Sequence, residues 1–389
     1  MDTQNTLKLK RLTINGYKSF SDNEHSIDFG DITVLIGANG AGKSNLVSFF
    51  KMIGYMMNTA LQQFVGDQGG ASSLLNFGQK VTPTLSAKVI FGIQKGLLQD
   101  SEDLCLDYKF SLSYGAKDTL YFTKEIVSFY SERKNSMKTD YEFPSGFESR
   151  LKLDELHLEH FESGSVIIPL LQNFTVYQFN DTTSTSKFKS SCYINQDNSL
   201  NNDGGNLSAF LYGLKENEKN RPYYNKIVRH IKQIFPQFGD FVLQPSARNE
   251  NMIFLKWHEQ NHVNYELGAH QLSDGILRFM ALAALLLQPP HNLPSVIMID
   301  EPELGLHPAA ITELASMVKI ASQYSQIILA TQNPALLDEF LPEQITVIER
   351  DPISKSSIFK KLTSEELNDW LTDYTLSELW DKNILGGRP

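Results

Sequence analysis

A chain of 389 residues, 41% of them hydrophobic, can build two or three domains or one domain with a large insertion, and its composition excludes a disordered polymer. The formal net charge of −10 excludes a global basic surface for nucleic acid, so any such binding needs a local patch. Two cysteines, Cys105 and Cys192, exclude a disulfide framework and argue against a zinc cluster. The opening MDTQNTLKLK has no apolar stretch behind it, as a secretory signal would. No run reaches the ~18 apolar residues of a membrane helix, so the expectation is a cytoplasmic protein without membrane attachment.

In chain order, LKLKRLTING (7–16) alternates like a half-buried strand, and ITVLIG (32–37) reads as a strand buried on both faces. A helix is predicted from Lys43 through NLVSFFKMIGYMM. Between about Ser86 and Phe179, runs such as LSAKVIFGIQ, LCLDYKFSLSYG and TLYFTKEIVSFY alternate with turn residues, the pattern of an antiparallel meander. From Asp203 to Phe235 the pattern turns helical, and the strands DFVLQPSA and NMIFLKWHE follow. HQLSDGILRFMALAALLL (270–287) then joins a polar opening to a helix whose Ile276, Leu277, Met280, Ala284 and Leu287 recur at helical spacing. Beyond it, SVIMID, SQIILA and QITVIE are short apolar strands separated by helical stretches, the rhythm of a parallel α/β sheet. The parallel-sheet pieces sit at both ends of the chain, so the two ends must meet to complete one sheet.

The loop GANGAGKS (37–44) fits G-x-x-x-x-G-K-[ST] and lies between a predicted strand and a predicted helix. By average residue usage a chance match in a chain this long is on the order of one in a hundred. Backbone N–H groups of Gly37, Ala38, Asn39, Gly40, Ala41 and Gly42 can curl around phosphate oxygens, with Asn45 in the following turn. Lys43 is placed to reach the β- and γ-phosphates, and the Ser44 hydroxyl to ligate Mg²⁺, so ATP and Mg²⁺ are the expected cofactors. In SVIMIDEPELGLHP, Asp300 and Glu301 fall at a strand's carboxyl end, where open α/β sheets bind ligands. Asp300 there can hold Mg²⁺, and Glu301 can serve as general base toward water. ILATQNP ends a further strand at Thr331 and Gln332, whose polar side chains can contact the γ-phosphate or the water; a strand-end cap is the plain alternative. Ser273, with Asp274 and Gly275, either caps its own helix or meets an anion there.

This motif order resembles the ABC-type ATPase heads of the SMC, RecF and OLD group. The runs LSDGILRFMALAALLLQPP, IDEPELGLHPAAI, ATQNPALLDEF and LSELWDKNILGGRP are similar to stand-alone bacterial ATPases near OLD and RecF, often found among anti-phage systems. The resemblance covers nearly the whole chain, with little contribution from the β-rich insertion. It implies a P-loop α/β fold with a mixed sheet, split by an inserted antiparallel β-rich lobe and a helical lobe. The expected parts are residues 1–80 with the phosphate loop, 81–180 the β-rich lobe, 181–260 a helical and β insertion, and 261–389 with the remaining motifs. It also implies a homo-oligomer, at least a dimer, in which Ser273, Asp274 and Gly275 of one subunit cap the γ-phosphate held by the other. YQFND (177–181) stands at the place of the Q-loop, making Gln178 the candidate sensor of Mg²⁺ and γ-phosphate, with Asp181 as alternative and a buried strand end as the plain reading. GYKSF (16–20) resembles the turn whose basic residue lies near the nucleotide, making Lys18 a candidate.

Two departures bear on function. Many relatives carry His at the switch position, whereas Gln332 cannot shuttle a proton at neutral pH, which puts the hydrolysis rate in question. The chain ends some fifty residues after the switch (about two helices and two strands), so the expectation is no Toprim nuclease of its own. Three functions follow as expectations. The first is an ATPase that controls a separate effector, such as a nuclease, in anti-phage defence. The second is a RecF-like ATPase on double-stranded DNA, using Lys215, Lys219, Arg221, Lys226, Arg229 and Lys232; a solvated helix face is the plain reading of that cluster. The third is a slowly hydrolysing scaffold that restrains a toxic partner.

Overall fold

The computed structural model describes residues 7–93, 104–131, 139–151, 171, 174–183 and 185–387. The short apolar runs of the two chain ends build a six-stranded sheet. Its order is β18 (Ser357–Lys361), β17 (Ile345–Arg350), β3 (Ile32–Ile36), β16 (Gln326–Thr331), β15 (Val296–Asp300) and β8 (Thr175–Tyr177). All pairings are parallel except β17 with β18. All five residues of β3 are buried, which is why its sequence shows no alternation. The N-terminal β3 lies between the C-terminal β16 and β17, so the two ends meet as the sequence requires.

The alternating runs build a second, wholly antiparallel sheet, ordered β2 (His25–Asp28), β1 (Leu7–Asn15), β4 (Thr84–Ile93), β5 (Leu104–Gly115), β6 (Thr119–Ser131) and β7 (Thr139–Glu142). This sheet draws on both sides of the boundary expected at residue 80, because β1 and β2 belong to it. Conversely β8, expected in the β-rich lobe, is an edge strand of the parallel sheet. Alternation marks a half-buried strand without naming its partner, and here the partner of β1 is β4. Two small sheets complete the strands: β10 (Phe238–Val242), β13 (Lys256–Glu259) and β14 (Leu267–Gly268) in one, β11 (Pro245–Ser246), β12 (Asn249–Ile253) and β9 (Cys192–Tyr193) in the other.

The period of two along the parallel strands sorts their side chains onto opposite faces. On one face Leu35, Val296, Met298, Ile328 and Ala330 pack against the helix Lys43–Met57, whose other side meets the antiparallel sheet through contacts such as Phe49 on Phe110. On the other face Val34, Ile36, Ile297, Ile299, Ile327 and Leu329 pack with the helices Leu207–Glu216, Arg221–Ile234, Asp274–Leu286 and Pro308–Ala321. The phosphate-loop helix and the helix opened by Ser273 therefore lie on opposite sides of the parallel sheet. Buried Gln326 ties the two sheets together. Its amide accepts from the Leu9 N–H at 2.9 Å and donates to the carbonyls of Leu9 and Gly30, each at 2.8 Å.

Candidate nucleotide site

The phosphate loop turns from β3 into the helix Lys43–Met57. Gly42 stands at the helix N-cap with φ 122 and no side chain caps this end, so the dipole and the first N–H groups are left to an anion. A Cβ on Gly42 would lie 2.2 Å from Ser357 Oγ, so this position admits only glycine on two counts. The loop is braced from outside. Ser357 donates to the Ala41 carbonyl at 2.5 Å, Arg350 Nε to the Gly40 carbonyl at 3.1 Å, and the Ala38 N–H to the Gly387 carbonyl at 2.9 Å. Asn45 spends its side chain on Ser19 Oγ at 2.8 Å. Ser44 is exposed beside buried Lys43. The Lys43 ammonium donates to the carbonyls of Gly37 and Ala38. Burial lowers its pKa, while Glu301, Asp300 and Glu303 raise it, which sets the lysine within the field of all three carboxylates.

Those carboxylates sit where β15 ends. Asp300 is half-buried, and burial raises its pKa with help from Glu301; a bond from Gln178 and the charges of Lys51 and Lys43 oppose the rise. Gln178 Nε2 donates to Asp300 Oδ2 at 2.6 Å, and Lys51 Nζ donates to Gln178 Oε1 at 2.5 Å. Glu301 adopts φ 49, in the left-handed region, held by its N–H on the Ala330 carbonyl at 2.7 Å. A non-glycine residue there stores about 1–3 kcal/mol, a cost found where a site must aim a side chain. Its carboxylate accepts from Gln332 Nε2 at 2.5 Å. Behind it buried Glu303 accepts from Thr331 Oγ1 at 2.6 Å and from the Gln332 N–H at 3.3 Å, so both residues at the end of β16 hang on this carboxylate. Its second oxygen, Oε2, is buried without a partner, and burial raises the Glu303 pKa.

On the far side of the sheet, Ser273 Oγ accepts from its own Ile276 N–H at 3.4 Å, a long N-cap, while Ser273 and Asp274 remain exposed. The capping reading and an anion site are thus compatible here. Lys189 lies 3.5 Å from Asp274 and offsets the one negative charge at this helix end. Gly275 has a reason of its own: a Cβ there would lie 2.3 Å from the Gly305 carbonyl oxygen, in the loop that follows the carboxylates. One turn on, Arg278 locks this helix to both neighbouring loops. Its guanidinium donates to the carbonyls of Phe179 at 3.0 Å, Asn180 at 2.9 Å and Leu304 at 2.9 Å.

The structure therefore brings Lys43, Ser44, Asp300, Glu301, Gln178 and Gln332 to the carboxyl ends of the parallel strands. It does not bring Ser273, Asp274 or Gly275 to the face of the phosphate-loop helix. Asp181 is exposed and closes a local turn through Thr183 at 2.7 Å, whereas Gln178 meets Asp300. Lys18, in a left-handed turn with φ 46, donates to Ser48 at 2.8 Å and Gln68 at 2.9 Å, beside the phosphate-loop helix. Lys51, Glu303 and Arg278 are additions to the site. A lone lysine or arginine on a helix reads as a solvated face, and only the DEPELG context hinted at Glu303. Among the described residues no helix is long and apolar enough to cross a membrane.

These residues suit ATP with Mg²⁺. The loop offers an uncapped helix end and a buried ammonium that has only loop carbonyls as acceptors, and the hydroxyl, carboxylate and amide beside it are oxygen donors of the kind Mg²⁺ takes. A phosphate-loop helix held between an antiparallel sheet and a parallel one, with acidic strand ends beside the loop, is the architecture of an ABC-type P-loop ATPase head. Solved heads agree. A Smc head bound to the C-winged helix domain of ScpA matches with a TM-score of 0.56 at 17% identity, over 92% of this chain and 99% of that one. A Smc head domain with an extended coiled coil, bound to the C-terminal domain of ScpA and derived from Pyrococcus furiosus, matches with a TM-score of 0.55 at 15% identity, over 94% and 99%. No curated protein matches the chain in sequence. The chain belongs to the family described as "AAA domain, putative AbiEii toxin, Type IV TA system", which matches residues 32–338.

Proposed function

We propose that this protein is an ATPase whose two heads close head-to-tail around ATP, and that binding and hydrolysis control a separate effector in defence against phage. One observation carries the reading: the phosphate-loop helix and the Ser273 helix pack on opposite faces of one sheet, and the Ser273 tip is exposed. A γ-phosphate on the loop then needs its second wall from another molecule. Gly37 to Asn45 would cradle the triphosphate, with Lys43 turning from its loop carbonyls to the β- and γ-phosphates. Ser44, Asp300 and Gln178 would hold Mg²⁺, which supplies neutralisation of phosphate charge when bound. Glu301 would take the proton of the attacking water, steadied by Gln332, and Glu303 keeps Gln332 in place from behind. Catalysis on this reading is positioning and electrostatics.

The family description, with its toxin and type IV TA system, and the anti-phage resemblance support control of a partner effector. The solved Smc heads, bound to ScpA domains, support a head that carries a protein partner. The DNA reading draws less support: of its six cations, Lys215 pairs with Asp240 at 3.1 Å and Arg221 Nε is spent on the Lys215 carbonyl at 3.0 Å. Two single variants test the shared site. Lys43→Ala should abolish ATP binding, whereas Ser273→Arg should leave binding to the lone chain intact and remove turnover. Equal loss of ATP affinity in both would overturn the two-subunit pocket.

A further inference from the structure

Gln178 stands between a cation and an anion, and their chemistry decides which way its amide points. The Lys51 ammonium only donates, so its partner at 2.5 Å is the carbonyl oxygen Oε1. An ionised Asp300 only accepts, so its partner at 2.6 Å is the amide nitrogen. The side chain thus shows Asp300 its nitrogen, and an amide nitrogen is no ligand for a hard divalent cation. The oxygen that could ligate one is taken by Lys51.

We propose that Lys51 is a positioning residue that holds Gln178 in a metal-incompetent orientation, and that its release lets the amide turn over and present Oε1 beside Asp300. This rests on the reading of Gln178 and Asp300 as a metal site. The backbone around Gln178 favours such a side-chain switch. Its N–H is fixed to the Asn202 carbonyl at 2.9 Å, and the next two carbonyls are fixed by Arg278. The segment stays while the amide rotates. Lys51 has somewhere to go: it lines a cavity of about 360 Å³ with Tyr55, Asn58, Thr175 and Asn202, which offers polar side chains to a displaced ammonium.

The test is Mn²⁺ binding followed by electron paramagnetic resonance on the full chain loaded with a non-hydrolysable ATP analogue. Lys51→Met should tighten Mn²⁺ binding by about tenfold or more, the scale of one charge-assisted hydrogen bond no longer competing. The gain should shrink to the part owed to the lost positive charge when Gln178 is also replaced by Ala, and Lys51→Arg, which keeps the donor and the charge, should bind Mn²⁺ as the parent does. An equal gain with and without Gln178 would mean that Lys51 acts by charge alone and would overturn the proposal, as would no gain. Asp300→Asn separates the two layers. If it weakens Mn²⁺ binding while Lys51→Met does nothing, only the Lys51 proposal fails; if it has no effect, the metal-site reading fails and takes the proposal with it.

Discussion

Gly275 is where folding and function make different demands on one residue, and a single methyl group separates them. On the functional reading alone, Gly275 leaves N–H groups open to a partner's phosphate, and Gly275→Ala should harm only the ATP-bound dimer. The packing says otherwise. A Cβ at 2.3 Å from the Gly305 oxygen is more than 1 Å inside ordinary contact, and the obstacle is backbone, not a side chain that can swing aside. Relief requires the start of helix Asp274–Leu286 and the loop at Gly305 to move apart, yet Arg278 pins that loop at the Leu304 carbonyl at 2.9 Å. Overpacking of this kind costs about 1–3 kcal/mol. The expected outcome is a lower urea midpoint for the nucleotide-free variant with an unchanged slope. Ser273→Ala is the control: it removes only a long cap bond of 3.4 Å and should cost no more than about 0.5 kcal/mol. A parental midpoint for Gly275→Ala would refute the packing argument and return the glycine to function alone.

Gln326→Leu should destabilise the chain by about 2–3 kcal/mol in urea unfolding, because it strands the Leu9 and Gly30 backbone groups that the amide joins across the two sheets. Burial raises the Glu303 pKa, so from the ordinary carboxylate range up to that raised value the folded chain holds a proton that the unfolded chain has released. Stability contributed by this site therefore falls as pH rises above the ordinary carboxylate range, and Glu303→Gln, which keeps an acceptor for Thr331, should flatten that decline. A variant with the parental pH slope would remove Glu303 as its source.

Much of this was legible in the sequence because the decisive signals are local. A phosphate loop needs its glycines, its lysine and its flanking strand and helix within one short stretch, and the strand interiors VIMI (296–299) and IILA (327–330) are apolar because both faces of their sheet are covered. What could not be read depends on distant partners. The alternation of LKLKRLTIN fits either sheet, and only its pairing with Thr84–Ile93 assigns it. Lys51 looks like one more solvated lysine until Gln178 and Asp300, far along the chain, arrive beside it. Gly275 has a motif explanation that hides a packing one, since the carbonyl it must clear belongs to a separate loop.

If each ATP is enclosed by two chains, two inactive variants should complement one another when mixed. Lys43→Ala and Ser273→Arg should each be inactive alone. Combined, they form one pocket with an intact phosphate loop from the Ser273→Arg chain and an intact helix tip from the Lys43→Ala chain. Mixing should restore ATP turnover, and the species carrying it should sediment at twice the 44.0 kDa chain mass. A mixture no more active than its components, with the ATP-loaded chain remaining a monomer, would contradict the two-chain enclosure.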